Sequence, residues 1–184
     1  MSDNKSSSPD STLDKTTLVV PAFGKSPALS LEMGSIRSAE IRYVEAKTVN
    51  PSNYSDLEHT FNESYRDLKR HLSTIGYYLT LANKALREAK ANVVLGSYAE
   101  YMSGKPKYQD NADLRDAFLM KDADYLAAMD RVAQLQALES NFEGKIKVVE
   151  NVCKYMRQKM YLISKSGVPI ETPLGSTIGR KYGK

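Results

Sequence analysis

From residue 55 onward the chain carries an unbroken hydrophobic repeat. Apolar side chains stand at Phe61, Tyr65, Leu68, Leu72, Ile75, Leu79, Ala82, Leu86, Ala89 and Val93. The steps alternate between four and three residues throughout. A sustained 3.5-residue period predicts a helix whose apolar seam supercoils against a partner helix. Ser55 and Glu58 precede the repeat with the spacing of a capping box, a helix start signal. Gly76 weakens the helix locally but lies off the seam. A helix running from Ser55 to Met102 would be roughly 70 Å long at 1.5 Å per residue.

Residues 103–110 read as a loop around Pro106. Asp110 or Asn111 can cap a second helix that starts near Ala112. Its stripe is irregular at first, through Leu114, Phe118, Leu126, Met129 and Val132. It then becomes strict at Phe142, Ile146, Val149, Cys153, Met156, Met160 and Ile163. Leu138, Phe142 and Ile146 are spaced four and four, a stutter that locally relaxes a supercoil. Gly167 and Pro169 end the pattern.

The chain before this repeat is different. Residues 1–15 are rich in Ser, Asp and Lys and predict disorder. Leu18-Val19-Val20 reads as a short strand or docking segment. Residues 21–37 contain two prolines and two glycines and read as irregular. Ile41 and Tyr43 alternate with charges, which suggests a short extended piece.

The expected fold is therefore all-α. A long, coiled-coil-like antiparallel helical hairpin spans residues 51–167. An irregular N-terminal segment, 1–50, precedes it and a basic flexible tail, 168–184, follows. A two-helix hairpin leaves much apolar surface uncovered, so a homo-oligomer is expected to supply the rest of the core.

Composition narrows the setting. The seven prolines leave 52–105 and 107–168 uninterrupted, which argues against an all-β sandwich. A single cysteine excludes an intramolecular disulfide framework and fits a reducing compartment. No apolar run is long enough to cross a bilayer, and the first residues lack the apolar core of a secretory signal. The expected location is the cytoplasm.

Net charge is only +4, but the last 39 residues carry eight basic groups against two acidic ones. Clustered positive charge suits a phosphate-rich partner, although a solvated tail has the same composition. Lys147, Asn151, Lys154, Gln158, Tyr161 and Lys165 recur at steps of four and three and form a polar stripe on the second helix. Arg157 flanks the stripe and Lys159 points elsewhere. Lysine and arginine neutralise phosphates, amides bond sugar or phosphate, and tyrosine stacks on bases. Every surface helix needs a polar outer face, but in this helix Glu150 is the one acid after Gly144.

Catalytic chemistry finds little purchase. His59 and Glu63 share a helix face, and a surface pair explains them better than metal ligation. Asp122 and Asp124 suit a helix first turn better than a magnesium site. Cys153 falls on the apolar seam, which marks a structural thiol and not a nucleophile. Gly175-Ser-Thr-Ile-Gly179-Arg-Lys lacks the spacing and the preceding strand of a phosphate-binding loop. No enzyme, metal or cofactor is expected.

Glu88-Ala89-x-x-x-Val93-x-Leu95, followed by Tyr101-x-Ser103-Gly104-Lys105, resembles the end of the first long helix in phage recombination mediators of the UvsY type. Cys153, Arg157 and Met160-Tyr161-Leu162-Ile163-x-Lys165 resemble that family's last helix. The match covers about residues 60–166 and leaves the first fifty aside. The resemblance implies a helical, ring-like homo-oligomer that binds single-stranded DNA. It also implies partners: a phage strand-exchange recombinase, which such mediators help to load, and the single-strand-binding protein that already covers the DNA. The family's Lys-x-Arg pair before Tyr-Tyr-Ser-Gly corresponds here to uncharged Gly96 and Tyr98. DNA contact is then expected from Lys90, Lys105 and Lys107 together with Lys147, Lys154, Arg157, Tyr161 and Lys165. The other reading is a coiled-coil structural or adaptor protein, such as a virion component, with no DNA role.

Overall fold

The structure is a computed structural model that describes residues 17–24, 27–106 and 110–166. It is mostly helical. Strands β1 (Thr17–Val20) and β2 (Leu29–Glu32) lead into helices α1 (Gly34–Ile41) and α2 (Tyr43–Lys47). Then come the long helix α3 (Tyr54–Leu95), short α4 (Ser97–Met102) and α5 (Ala112–Leu119), and the long helix α6 (Ala123–Lys165). Arg157 meets Glu58 while Phe142 meets His71, so α3 and α6 run antiparallel. That is the expected hairpin.

The start of α3 differs from the capping-box expectation. Asn53 occupies the N-cap position without a side-chain cap, and Ser55 already lies inside the helix. The preceding turn is held instead by Asn50. Its side-chain oxygen accepts from the Ser52 amide at 2.9 Å and the Asn53 amide at 3.3 Å. Glu58 is engaged elsewhere, by the Tyr54 hydroxyl at 2.8 Å and by Arg157 at 3.4 Å.

The first long helix also ends sooner than Met102. It stops at Gly96, where a Cβ would sit 2.7 Å from the Asn92 carbonyl oxygen. Glycine alone allows that approach, and the chain restarts as α4 with the Glu100 amide bonded to the Gly96 carbonyl at 2.9 Å. The second helical stretch is likewise two helices. Asn111 caps α5 by accepting from the Leu114 amide at 2.7 Å. Asp122 caps α6 by accepting from the Tyr125 amide at 2.7 Å.

The seam of α3 is rotated from the predicted one. Phe61, Leu68, Ile75, Ala82 and Val93 are buried, but Tyr65, Leu72, Leu79, Leu86 and Ala89 are only half-buried. The fully covered positions between them are Leu57, Ser64 and His71. The cause is a third layer. Residues 21–37, expected to be irregular, contain β2 and the first half of α1. Ile41 and Tyr43, expected to be extended, are helical. β1 and β2 pair antiparallel, with Val20 opposite Leu29 and Thr17 opposite Glu32. Leu29 and Leu31 alternate inward from β2, and Ile36, Ala39, Ala46 and Val49 join them in one core with α3 and α6. So part of the apolar surface assigned to an oligomer is covered by the chain itself.

Polar bonds pin this layer down. The His71 Nε2–H donates to the Glu32 carbonyl at 2.7 Å, and the His71 ring meets Phe142 edge-on at 5.9 Å. Ser35 donates to Asp67 at 2.5 Å, and Arg42 donates to the Thr60 hydroxyl at 2.9 Å. The predicted disorder of 1–15, the Gly167 and Pro169 stop, the 168–184 tail and the Gly175 segment lie outside the described residues.

Candidate nucleic-acid interface

All six residues of the predicted stripe on α6 are exposed: Lys147, Asn151, Lys154, Gln158, Tyr161 and Lys165. At 100° per residue they cluster opposite the core line formed by Phe142, Ile146, Val149, Cys153 and Met156. From Lys147 to Lys165 the stripe is about 27 Å long at 1.5 Å per residue. Lys165 lies over the Tyr161 ring at 5.0 Å, which places a cation and a stacking surface side by side. Lys159 turns away and donates to the Lys47 carbonyl at 3.0 Å.

Beside the stripe runs a groove between α3 and α6. It is lined by Asn62, Tyr65, Glu150, Cys153, Lys154 and Arg157. Tyr65 read as a seam residue in the sequence because its spacing fits. The rotation of α3 turns it to the groove instead, with Lys69 5.4 Å from its ring. Arg157 is not a free cation. It pairs with Glu58 at 3.4 Å, and that contact raises the arginine above its ordinary range. Burial, then the neighbouring Glu58, raises the Tyr54 hydroxyl too.

The remaining predicted contacts stand elsewhere. Lys90 is exposed on α3, 32 residues beyond Glu58 on the same helix, or about 48 Å away. Lys105 follows α4 with its ammonium 3.0 Å from the Tyr101 ring centre. Lys107 lies outside the described residues. The structure therefore does not bring Lys90 and Lys105 together with Lys147, Lys154, Arg157, Tyr161 and Lys165.

The far end is closed by its own contacts. Tyr98 is buried and donates to Asp110, which Arg115 also grips at 2.5 Å and 2.9 Å. Phe118 packs edge-on against Tyr98 at 5.5 Å. The Arg115 contact, then that of Tyr98, holds the Asp110 carboxyl below its ordinary range. A carboxylate depressed in the fold stabilises it above the unfolded value, and that contribution fades as pH falls through the folded one. This closure weakens in acid.

His59 and Glu63 form an exposed pair at 3.4 Å. Among the described residues, no three His, Cys, Asp or Glu side chains gather closely enough to hold a metal ion. No described helix is long and apolar enough to cross a membrane. Cys153 is buried, and that burial pushes its thiol up. Alkylation with iodoacetamide is expected to be at least 100-fold slower in the folded protein than in denaturant, because the thiolate is both scarce and covered. Equal rates in a time course read by mass spectrometry would place Cys153 at the surface. Comparison of the chain with protein-family models, with curated proteins and with solved structures finds no match.

Proposed function

We propose that the chain is a non-enzymatic protein that binds single-stranded DNA. In the manner of the mediators its sequence resembles, it would help a phage recombinase load onto DNA covered by single-strand-binding protein. The observation that carries this reading is the basic face of α6. Its stripe is exposed throughout, and the adjoining groove sets Tyr65 beside Lys154 and Arg157. Lys147, Lys154 and Lys165 neutralise phosphates, while Tyr161 and Tyr65 offer ring faces to bases. Glu58 competes with DNA for Arg157, so that side chain contributes less than an unpaired arginine. Lys90 and Lys105 would form a separate contact reached only by a long strand.

Fluorescence anisotropy with labelled oligo-dT across a salt series tests the reading. The logarithm of affinity should fall with the logarithm of salt, by about 0.7 for each phosphate neutralised. Replacing Lys147, Lys154, Arg157 and Lys165 together by alanine should flatten the slope by up to about 2.8 and weaken binding at least tenfold. No binding at low salt overturns the proposal. Binding and slope unchanged in the quadruple variant would remove this face as the site.

The second reading, a coiled-coil structural or adaptor protein such as a virion component, is favoured by a different observation. Val148, Tyr155 and Leu162 stand exposed along one side of α6.

A further inference from the structure

The core is not the only heptad line on α6. Ala133, Ala137, Ser140, Gly144, Val148, Asn151, Tyr155 and Leu162 follow steps of 4, 3, 4, 4, 3, 4 and 7, and all are exposed. Val148 is 51% exposed, Tyr155 45% and Leu162 59%. A Cβ built at Gly144 would meet nothing within 4 Å. Helices need only one apolar line to pack on their own core, and of this second line Tyr155 is tied within the chain by its hydroxyl donating to the Lys47 carbonyl at 3.2 Å, while Val148 and Leu162 present more than half of their surface. The patch continues onto the neighbouring edge, where Ile41 is 78% and Val44 69% exposed, and where Tyr43 and Ala46 line a groove with Val148 and Tyr155.

Two properties of this line identify its occupant. The first is size. Its N-terminal half is small (Ala133, Ala137, Ser140, Gly144) and its C-terminal half contains the large side chains (Val148, Tyr155, Leu162). Small positions let a helix approach closely and large ones fill the space, so the halves fit each other and not themselves. The second is charge. Along α6, residues 123–144 carry four acids and one base, whereas 145–165 carry six bases and one acid, Lys145 and Arg157 among the bases being paired within the chain to Glu40 and Glu58. An antiparallel copy of the same helix satisfies both reversals, whereas a parallel copy sets like against like.

We infer that α6 forms a two-fold antiparallel dimer with α6 of a second copy through this line. The axis passes near Lys147 and Val148. Ser140 then faces Tyr155 of the second copy, Ala133 faces its Leu162, and Gly144 faces its Asn151. The contact is isologous, as a closed dimer requires. Along one flank of the line stand Glu143, Lys147, Glu150 and Lys154. In antiparallel packing like flanks meet, so Glu143 lies near Lys154 of the second copy and Lys147 near its Glu150. These rim pairs add little affinity but select register. Asn151, the polar member of the line, penalises shifted registers. The dimer names a face and a register for the self-association expected from the sequence; Lys147, Asn151 and Lys154 border it, so it competes with DNA for those residues and is tested without DNA.

Light scattering and cysteine cross-linking, both without DNA, test this. The full chain should be dimeric at micromolar concentration and above. Ala137→Trp adds bulk at an exposed position, so the helical circular dichroism stays while the dimer dissociates at least tenfold more readily. In a Cys153→Ala background, a mixture of Ser140→Cys and Tyr155→Cys chains should form a disulfide dimer under mild oxidation, and Ser140→Cys alone should not. A wild-type monomer up to about 200 μM, an unaffected Ala137→Trp dimer, or efficient cross-linking of Ser140→Cys alone would each overturn the inference.

Discussion

Replacing Phe142 by alanine is expected to remove about 3–5 kcal/mol of stability. Phe142 is 1% exposed and sits where α6, α3 and the N-terminal layer share one core. Its ring packs edge-on to His71 at 5.9 Å. Truncation loses the transfer energy of the ring, the edge-to-face contact and the packing around the void. Domains are typically stable by about 5–15 kcal/mol, so a large share of the total is at stake. Thermal melts followed at 222 nm should show a midpoint lowered by roughly 10–15 °C, at a few degrees per kcal/mol for a domain of this size. Leu95→Ala is the control. That side chain is 79% exposed, so its loss should shift the melt by less than about 2 °C. A melt for Phe142→Ala within 3 °C of the wild type would mean that α3 and α6 do not meet at this point.

The second large effect is expected at His71. Leucine there keeps most of the buried volume but removes the N–H that serves the Glu32 carbonyl at 2.7 Å. The Glu32 carbonyl is only part-buried, so the lost donor costs about 1 kcal/mol, and the lost ring contact about 0.5–1.5. The net loss for His71→Leu is about 2 kcal/mol, and it is local in character. His71 is the bolt between the strand pair and α3, so the N-terminal layer should loosen before the helical hairpin does. Hydrogen exchange is the measurement. Amides of Leu29–Glu32 should exchange about 10–100 times faster, while those near Ile75 and Val149 change far less. Uniform acceleration across α3 and α6 would show that His71 supports the whole fold and not this one joint.

Both experiments fall on residues that sequence patterning weighs poorly. Phe142 was legible as core, because a large aromatic on a strict apolar period has few other uses. His71 was not. Periodicity selects by hydrophobicity, so it preferred Leu72, one position away and half-buried. Ser64 was passed over for Tyr65 on the same ground, although Ser64 is fully covered and its hydroxyl has no hydrogen-bond partner among the described residues. Arg131 is a third case, buried at 5% exposure with one guanidinium nitrogen unpaired. For Ser64 and His71, a polar residue occupies the inner face because an additional layer widens the buried arc of α3.

The helix boundaries tell a similar story. Asn111 announced itself as a cap by residue type and position. Asp122 carried the same signal, but it was read as first-turn charge within a helix already begun. Gly96 matters because of one close backbone approach, which no spacing rule reports.

The candidate site divides in the same way. The stripe from Lys147 to Lys165 depends on a single helix, so its exposure follows from the period of that helix alone. The separation of Lys90 from Lys154 depends on how two helices align, which residue spacing within one helix does not contain. The groove that joins Tyr65 to Lys154 and Arg157 likewise exists only once α3 and α6 pack.

By itself the sequence determined two long helices, their antiparallel pairing and a basic end, because each follows from local period and composition. Tertiary structure alone decided that residues 29–49 form part of the core, that the seam turns toward Ser64 and His71, and that α6 keeps a second apolar line in solvent. The physical reason is that burial is a property of surfaces meeting. A short segment of weak period, such as Leu29-Ser-Leu-Glu32, shows its inward face only when another surface is there to cover it.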